Sequence, residues 1–432
     1  MKFNKVNIVT LGCSKNLVDS EKLMAGISSG GYRVLHDAPV GAAPIVIINT
    51  CGFISDAKEE SIDTILKFVE ARKSGLIHKL YVTGCLAQRY REDLTREIPE
   101  VDNYFGICHF EDIVRELNIA PDIYMPHTRV ITGPGHYAYL KVSEGCSRNC
   151  AFCAIPMIRG RHVSRPAEEI LTEAKYLADM GVRELILIAQ DLTYYGFDIY
   201  GERRIDSLVR QISDLKLFDW IRLHYLYPSD FPGSLIPVIR DIPEVCSYID
   251  IPVQHINDKV LKMMNRKHNR QETVNLLSRL RSEIPGCAIR TTLIVGHPGE
   301  GDDEFRELYD FVKEFRFDRM GVFAYSHEEK TPGGRKYADN ISDIVKRERV
   351  EALMDLQQEI STVLNRNLQG KIMPVMIDGS EGDWLTGRTE YDSPEIDQEV
   401  LIPFSPEIKT GTIYNVRIND SGEFDLYGEI IS

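Results

Sequence analysis

The sequence predicts an α/β protein of three parts: an N-terminal parallel α/β sheet domain over residues 1–120, a central partial (β/α)6 barrel with a connecting helix over 135–367, and a small antiparallel β-barrel over 370–432. Two series of apolar strands alternating with amphipathic helices carry the first two assignments, since that rhythm builds helix-covered parallel sheets. The third rests on a change of pattern after Gly370, where short alternating strands are broken by Gly, Asp and Pro. A length of 432 residues agrees with about three domains at ~150 residues each.

The first series reads Val6–Leu11, a helix near Asn16–Ser28, Ile45–Asn49, a helix over Ala57–Ala71, Lys79–Thr83 and a helix near Gln88. Residues Ile119–Pro134, with Pro121, Pro126 and Pro134, form the first boundary. The second series offers strands at Tyr137–Val142, Glu184–Ala189, Trp220–Leu226, Tyr248–Val253, Ile289–Val295 and Arg319–Ala324, with helices such as Ala167–Met180, Glu272–Ile284 and Asp302–Phe315 between them. Six β/α units fall short of the usual eight, so the barrel is expected to be open. Val345, Leu353, Leu356, Ile360, Val363, Leu364 and Leu368 recur at helical spacing and predict a long helix over Ile341–Leu368. Met373–Ile377, Trp384–Gly387, Glu399–Pro403, Thr412–Ile418 and Phe424–Tyr427 complete the small β-barrel.

With 43% hydrophobic and 27% charged residues the composition is globular, which sets aside disordered and fibrous classes. A net charge of −14 opposes broad binding to nucleic acid. The longest apolar run, Ala42–Ile48, is too short to span a membrane, and the N-terminus lacks the apolar core of a secretory signal. A cytoplasmic, soluble protein is expected. Its nine cysteines should then be reduced and available for metal or redox chemistry rather than for disulfides.

Each strand of the first series runs into a cysteine, at Cys13, Cys51 and Cys85. Parallel strands share one carboxyl edge, where ligands bind, so three cysteines there can converge. Small buried core residues are the ordinary alternative. The second series opens with Cys146, Cys150 and Cys153 in a C-x-x-x-C-x-x-C loop. Three thiolates can hold three irons of a cubane and leave the fourth open. Zinc would need a fourth ligand such as His162. No acid stands between Gly145 and Ala167, whereas Arg148, Arg159, Arg161 and Arg165 do, which predicts a locally positive mouth. Cys108, Cys246 and Cys287 have no matching partners and read as structural.

With Phe152 just before its last cysteine, the triplet resembles the signature of the radical S-adenosylmethionine (SAM) enzymes. In that family the open iron chelates the amino and carboxylate groups of SAM, and an electron from the cluster releases a 5′-deoxyadenosyl radical. The resemblance implies SAM contacts from Phe152, from Gln190 beside Asp191 at a strand tip, and from Gly296, Gly299 and Glu300 in the turn Gly296-His297-Pro298-Gly299-Glu300. The plain alternatives are a loop cap at Gln190-Asp191 and a strand-to-helix turn at Gly296–Glu300.

The N-terminal trio repeats the arithmetic of three cysteines without a fourth. The stretches Leu11–Glu21, Asn49–Ile54 and Gly84–Tyr90 look like N-domain motifs of the methylthiotransferase family, which joins such a cluster domain to a radical SAM barrel and a C-terminal TRAM β-barrel. Cys150–Pro156 and Ile249–His255 resemble its RimO branch, which modifies an aspartate of the twelfth small-subunit ribosomal protein. The resemblance implies two [4Fe-4S] clusters and SAM. One SAM methylates sulfur held at the first cluster; a second yields the radical that removes hydrogen from the aspartate β-carbon, which then takes the methylthio group. It also implies a basic ribosomal protein as substrate, free or on the ribosome, and an electron donor such as flavodoxin or ferredoxin. From Lys371 onward thirteen acids face four bases, which favours a basic protein over RNA. The alternatives are a tRNA adenosine methylthiotransferase and a non-catalytic iron–sulfur or zinc protein.

Overall fold

The computed structural model describes residues 4–107, 109–120 and 127–431, so Cys108, Pro121 and Pro126 lie outside the described residues. The chain forms two compact units: residues 1–133 with 139–148 and 153–176, and residues 134–138 with 149–152 and 177–432.

The first unit is built on β1 (Lys5–Thr10), α1 (Ser14–Ser29), β2 (Arg33–His36), β3 (Ile45–Thr50), α2 (Ser55–Lys73), β4 (Lys79–Gly84), α3 (Cys85–Glu97), β5 (Asn103–Tyr104) and α4 (Phe110–Glu116). Its strands form one parallel sheet in the order β2-β1-β3-β4-β5. The central strands are apolar on both faces because helices cover both. Val46, Ile48, Leu80 and Val82 pack with Ile65, Phe68 and Leu86 on one side, while Ile8, Ile45 and Ile47 pack with Leu23, Ile27 and Ile113 on the other. The apolar pattern does not announce β2, β5 or α4, which are short and carry little periodicity.

Register brings the cysteines to one edge. Thr10 pairs with Asn49, and Thr50 with Gly84. Cys51 and Cys85 are therefore the next residues of neighbouring strands, and Leu11 N still donates to Asn49 O at 2.9 Å just before Cys13.

The chain continues through β6 (Tyr137–Lys141), β7 (Ser143–Glu144), α5 (Ile155–Ile158), β8 (Val163–Ser164), α6 (Ala167–Asp179), β9 (Glu184–Ile188), α7 (Phe197–Tyr200), α8 (Ile205–Asp214), β10 (Trp220–Leu223), α9 (Leu235–Asp241), β11 (Tyr248–Asp250) and α10 (Asp258–Met263). It goes on with α11 (Arg270–Glu283), β12 (Ala288–Val295), α12 (Asp302–Phe315), β13 (Arg319–Ala324), α13 (Pro332–Lys336) and α14 (Asp343–Arg366). All six expected barrel strands are present, in the orders β10-β9-β6 and β11-β12-β13, with a parallel bridge Ile221↔Val245 beside β10.

In the second unit, β14 (Ile372–Glu381), β15 (Trp384–Arg388), β16 (Val400–Pro403), β17 (Ile413–Ser421) and β18 (Leu426–Ile430) close a barrel in the order β14-β15-β16-β18-β17. Its pairs are antiparallel except β16–β18. Five strands cannot alternate direction all the way round a ring, so one pair runs parallel. The stretch after β15 turns inward: Arg319 Nε donates to Asp392 at 2.8 Å, Tyr248 Oη donates to Asp397 at 2.7 Å, and Ser393 Oγ lies 2.9 Å from His224 Nε2. Arg388 binds Glu184 at 2.7 Å and Asp378 at 2.6 Å. Several acids counted as surface charge in the sequence thus sit inside.

Candidate functional site

Three strand ends carry the first cysteines and one loop carries the second set. In the first unit, Cys13 is the residue just before α1 and Cys85 is the first residue of α3, so both stand at helix N-termini. Cys51 follows β3, and Ser61 of α2 fixes it by accepting from Cys51 N at 3.1 Å and donating to Cys51 O at 2.8 Å. The three approach closely enough to need glycines. A Cβ on Gly12 would come within 2.9 Å of Cys51 Sγ, and one on Gly52 within 2.7 Å of Leu86 Cα. Cys51 and Cys85 are buried and Cys13 is exposed. Burial pushes the Cys85 thiol up to about 12, against the pull of Arg159. Burial also raises Cys51, against the amides of Phe53 and Gly52.

Asn16 organises this edge, a role that no local pattern reveals. Fully buried on α1, it donates from Nδ2 to Leu11 O at 2.8 Å and to Thr50 O at 3.1 Å. Its Oδ1 lies 3.7 Å from Cys85 Sγ and accepts from Arg159 Nη2 at 2.6 Å. One side chain therefore reaches all three cysteine-bearing strand ends.

The predicted positive mouth is corrected in part. Arg159 pairs with Asp19 at 3.1 Å and Glu144 at 2.9 Å, and Arg165 pairs with Glu173 at 2.8 Å. Lys141 binds Asp19 and, at 2.6 Å, Glu144. Glu173 is fully buried and also holds Lys22 at 3.0 Å and Arg129 at 3.2 Å, while Arg129 binds Glu21. Arg159 and Arg165 thus meet acids from α1, β7 and α6. Burial opposes the charge of Glu173, yet those pairings hold it below the usual carboxylate range.

The second triplet starts at Gly145, whose positive φ of 72° is imposed by neighbours: a Cβ there would lie 2.2 Å from Arg161 O. Cys146 N donates to Gly160 O at 3.1 Å. In the second unit, Cys150 Sγ accepts from Arg266 Nη1 at 3.5 Å and lies 3.8 Å from Tyr227 Oη. Ala151 is held by Met264 O and Gly333 N, each at 2.7 Å. Cys146 and Cys150 are buried, and Cys153 and Phe152 are half-buried.

The donor sets suit cubanes. Each is three thiols, and guanidinium groups donate to Cys85 and Cys150. Among the described residues, no three His, Cys, Asp or Glu side chains converge on one point as ligands of a single ion do. A cubane held by three thiolates takes one on each of three irons. His162, the possible zinc ligand, turns Nε2 to Ser164 Oγ at 3.0 Å.

The residues named for SAM are less free than their sequence context suggests. Gln190 is half-buried beyond β9, and Asp191 accepts from Thr193 Oγ1 at 2.6 Å, the capping alternative. At Gly296 and Gly299, both at positive φ, a Cβ would lie 2.3 Å from Lys346 Cγ and from Met263 Sδ respectively, so side chains of the protein already crowd both positions. Glu300 is buried, accepts from Gly296 N at 3.0 Å and pairs with Arg349 at 2.8 Å. It shapes its own turn. His297 Nδ1 bonds Pro298 O at 2.8 Å, and burial pushes it down to about 4. Cys246 and Cys287 are buried as expected, their thiols pushed up by that burial to about 12 and about 11.

Known proteins share all three parts of the chain. The family description "Uncharacterized protein family UPF0004" matches residues 5–106, "Radical SAM superfamily" matches 140–312 and "TRAM domain" matches 370–431. Among solved structures, two of the radical SAM methyltransferase TsrM from Kitasatospora setae share the fold. One gives a TM-score of 0.56 at 14% identity, covering 77% of each chain; the other gives 0.57 at 13%, covering 88% of this chain and 79% of that one. Proteins named ribosomal protein uS12 methylthiotransferase RimO are 50% identical over 432 residues in Phocaeicola vulgatus and 49% over 433 in Porphyromonas gingivalis, each covering 100% of both chains. The one from Cytophaga hutchinsonii is 48% identical over 428 residues, covering 99% of this chain and 98% of its own. Agreement of that depth along the full length settles the assignment: the chain belongs to the RimO family of ribosomal protein uS12 methylthiotransferases.

Proposed function

We propose that this chain replaces a hydrogen on the β-carbon of an aspartate in ribosomal protein uS12 with a methylthio group. The observation that carries the reading is full-length identity of about half to the uS12 methylthiotransferases, in a chain with two sets of three cysteines among its nine. Cys13, Cys51 and Cys85 would hold one [4Fe-4S] cluster, and Cys146, Cys150 and Cys153 the other. When bound, these clusters and SAM supply the one-electron chemistry, the sulfur and the methyl group that an unactivated C–H bond requires. The protein's own part is positioning. Asn16 ties the strand ends that present the first trio. Arg266 and Tyr227 face the sulfur of Cys150. Glu300 and Arg349 fix the Gly296–Glu300 turn, and Phe152 and Gln190 would contact SAM.

The substrate is a basic protein of the ribosome, so the reaction would run in the cytoplasm; a flavodoxin- or ferredoxin-type protein would supply the electrons. No helix among the described residues is long and apolar enough to cross a membrane. The C-terminal barrel supports a basic partner even after Asp378, Glu390, Asp392 and Asp397 are set aside as internal. The remaining acids there outnumber the exposed Lys371, Lys409 and Arg417. Such a surface repels an RNA backbone.

Intact-mass measurement of uS12 from cells with and without this gene tests the reading: the methylthio increment should vanish on deletion. An unchanged uS12, with modified nucleosides lost from tRNA instead, would assign the chain to RNA. Anaerobic reconstitution should give about eight irons per chain, matched by sulfide. Cys13→Ala or Cys51→Ala should keep reductive cleavage of SAM and lose thiolation; loss of both with the second cluster intact would contradict the division of labour.

A further inference from the structure

Arg159 joins the loop that carries Cys146 to the first cysteine set. Its backbone lies beside Cys146: Gly160 O accepts from Cys146 N at 3.1 Å, and a Cβ on Gly145 would lie 2.7 Å from Arg159 O. Its side chain runs the other way. Nη2 donates to Asn16 Oδ1 at 2.6 Å and to Cys85 Sγ at 3.7 Å, and Nη1 pairs with Asp19 and Glu144. The side chain is only 2% exposed, so little solvent screens its charge.

The charges around it nearly cancel. Arg159 and Lys141 face Asp19 and Glu144, all joined by direct ion pairs. Nothing in that quartet is left over for a thiolate-ligated cluster, so removing the guanidinium leaves an excess negative charge beside Cys85. A group that gains negative charge on reduction is harder to reduce in such a field. A hydrogen bond to a ligating sulfur acts in the same direction as a nearby cation, because both stabilise charge on sulfur.

We infer that Arg159 is a positioning residue that sets the reduction potential of the cluster held by Cys13, Cys51 and Cys85, and that it ties that potential to the placement of the Cys146 loop. The inference rests on the two-cluster reading and adds to it a residue that ligates neither cluster. Arg266, which donates to Cys150 Sγ at 3.5 Å, is the matching group for the other set and serves as a control.

The test uses the full chain with Cys146, Cys150 and Cys153 replaced by Ala, reconstituted anaerobically so that only the first cluster loads. The midpoint potential is read by electron paramagnetic resonance titration in chains carrying Arg159, Arg159→Lys or Arg159→Gln. Arg159→Gln should make the cluster at least tenfold harder to reduce, about 59 mV for a one-electron couple. Arg159→Lys, which keeps the charge, should regain at least half of that shift, and Arg266→Gln should leave the potential unmoved. An unmoved potential in loaded Arg159→Gln overturns the inference, as does an equal shift in the Lys and Gln variants. Failure of the Arg159-containing chain to bind iron is a different result, which sinks the two-cluster reading itself.

Discussion

Replacing Asn16 is the sharpest probe of how the first cysteine set is held. Asn16→Ala removes two neutral hydrogen bonds to main-chain carbonyls and one charge-assisted bond from Arg159. At about 1 kcal/mol for each neutral bond and about 1.5–3 for the charged one, the loss is about 3.5–5 kcal/mol. Asn16 O still accepts from Asn49 Nδ2 at 2.9 Å, so the main chain of α1 keeps its own tie and the loss should stay local. Asn16→Asp separates the two jobs of the side chain. It preserves volume and strengthens the acceptor for Arg159, but it aims carboxylate oxygen at Leu11 O and Thr50 O. If the strand-end clamp matters, Asp should be as damaging as Ala. The assay is iron and sulfide per chain after reconstitution, with denaturant unfolding of the apo chain alongside. Both variants should lose about half the iron, and Ala should lower stability by the amount above. Full iron loading in Asn16→Asp would refute the clamp and leave Asn16 as no more than a partner for Arg159.

Three further outcomes are expected from buried groups. Glu173→Gln leaves Lys22, Arg129 and Arg165 without their shared carboxylate and should cost about 3–5 kcal/mol in thermal or denaturant unfolding. Because the folded protein holds Glu173 below the ordinary carboxylate value, its contribution is present above that value and is lost as pH falls through the folded one; the Gln variant should therefore show a flatter acid limb. Gly84→Ala puts a Cβ 2.5 Å from Thr50 O at a φ of 97°, so Cys85 must move, and iron loading of a chain retaining only the first cysteine set should fail. His297, pushed down to about 4, stays neutral in the fold while the unfolded chain takes up a proton near 6.5. Stability should thus fall by up to about 3 kcal/mol between those pH values, and His297→Asn should remove that part of the pH dependence.

The cysteine edge was legible because it depends on short-range pattern. Strand, cysteine and helix follow one another three times, and a parallel sheet brings such ends to one edge. The same holds for the six barrel strands and for α14, whose apolar spacing survives translation into structure. What escaped depends on contacts distant in sequence. Lys15, Asn16, Asp19, Glu21 and Lys22 look like the solvated face of a helix, yet all are buried. Their partners, Arg129, Lys141, Arg159 and Glu173, lie more than 100 residues further on, and no local spacing reports that pairing. Gly296 and Gly299 have a second reason to be glycine that the sequence does not report. Glycines in such a turn suggest room for a ligand, while Lys346 and Met263 already fill the space their missing side chains leave.

The C-terminal barrel carries acids of two kinds. A charge count treats Asp392 and Glu407 alike, but Asp392 is fully buried against Arg319 and Glu407 is exposed. Burial of an acid is tolerated only where a cation or donors meet it, so the inward acids hold the barrel to β9, β11 and β13 and cannot also attract a partner. Acids of both kinds act on Glu399: burial first, and then the charges of Asp425, Asp378 and Glu381, raise it. A field built from like charges at that spacing weakens with salt over about 8–10 Å. Association with a basic protein through this face should therefore slow steeply as ionic strength rises, whereas the ion pairs that hold the barrel in place should not loosen under the same conditions.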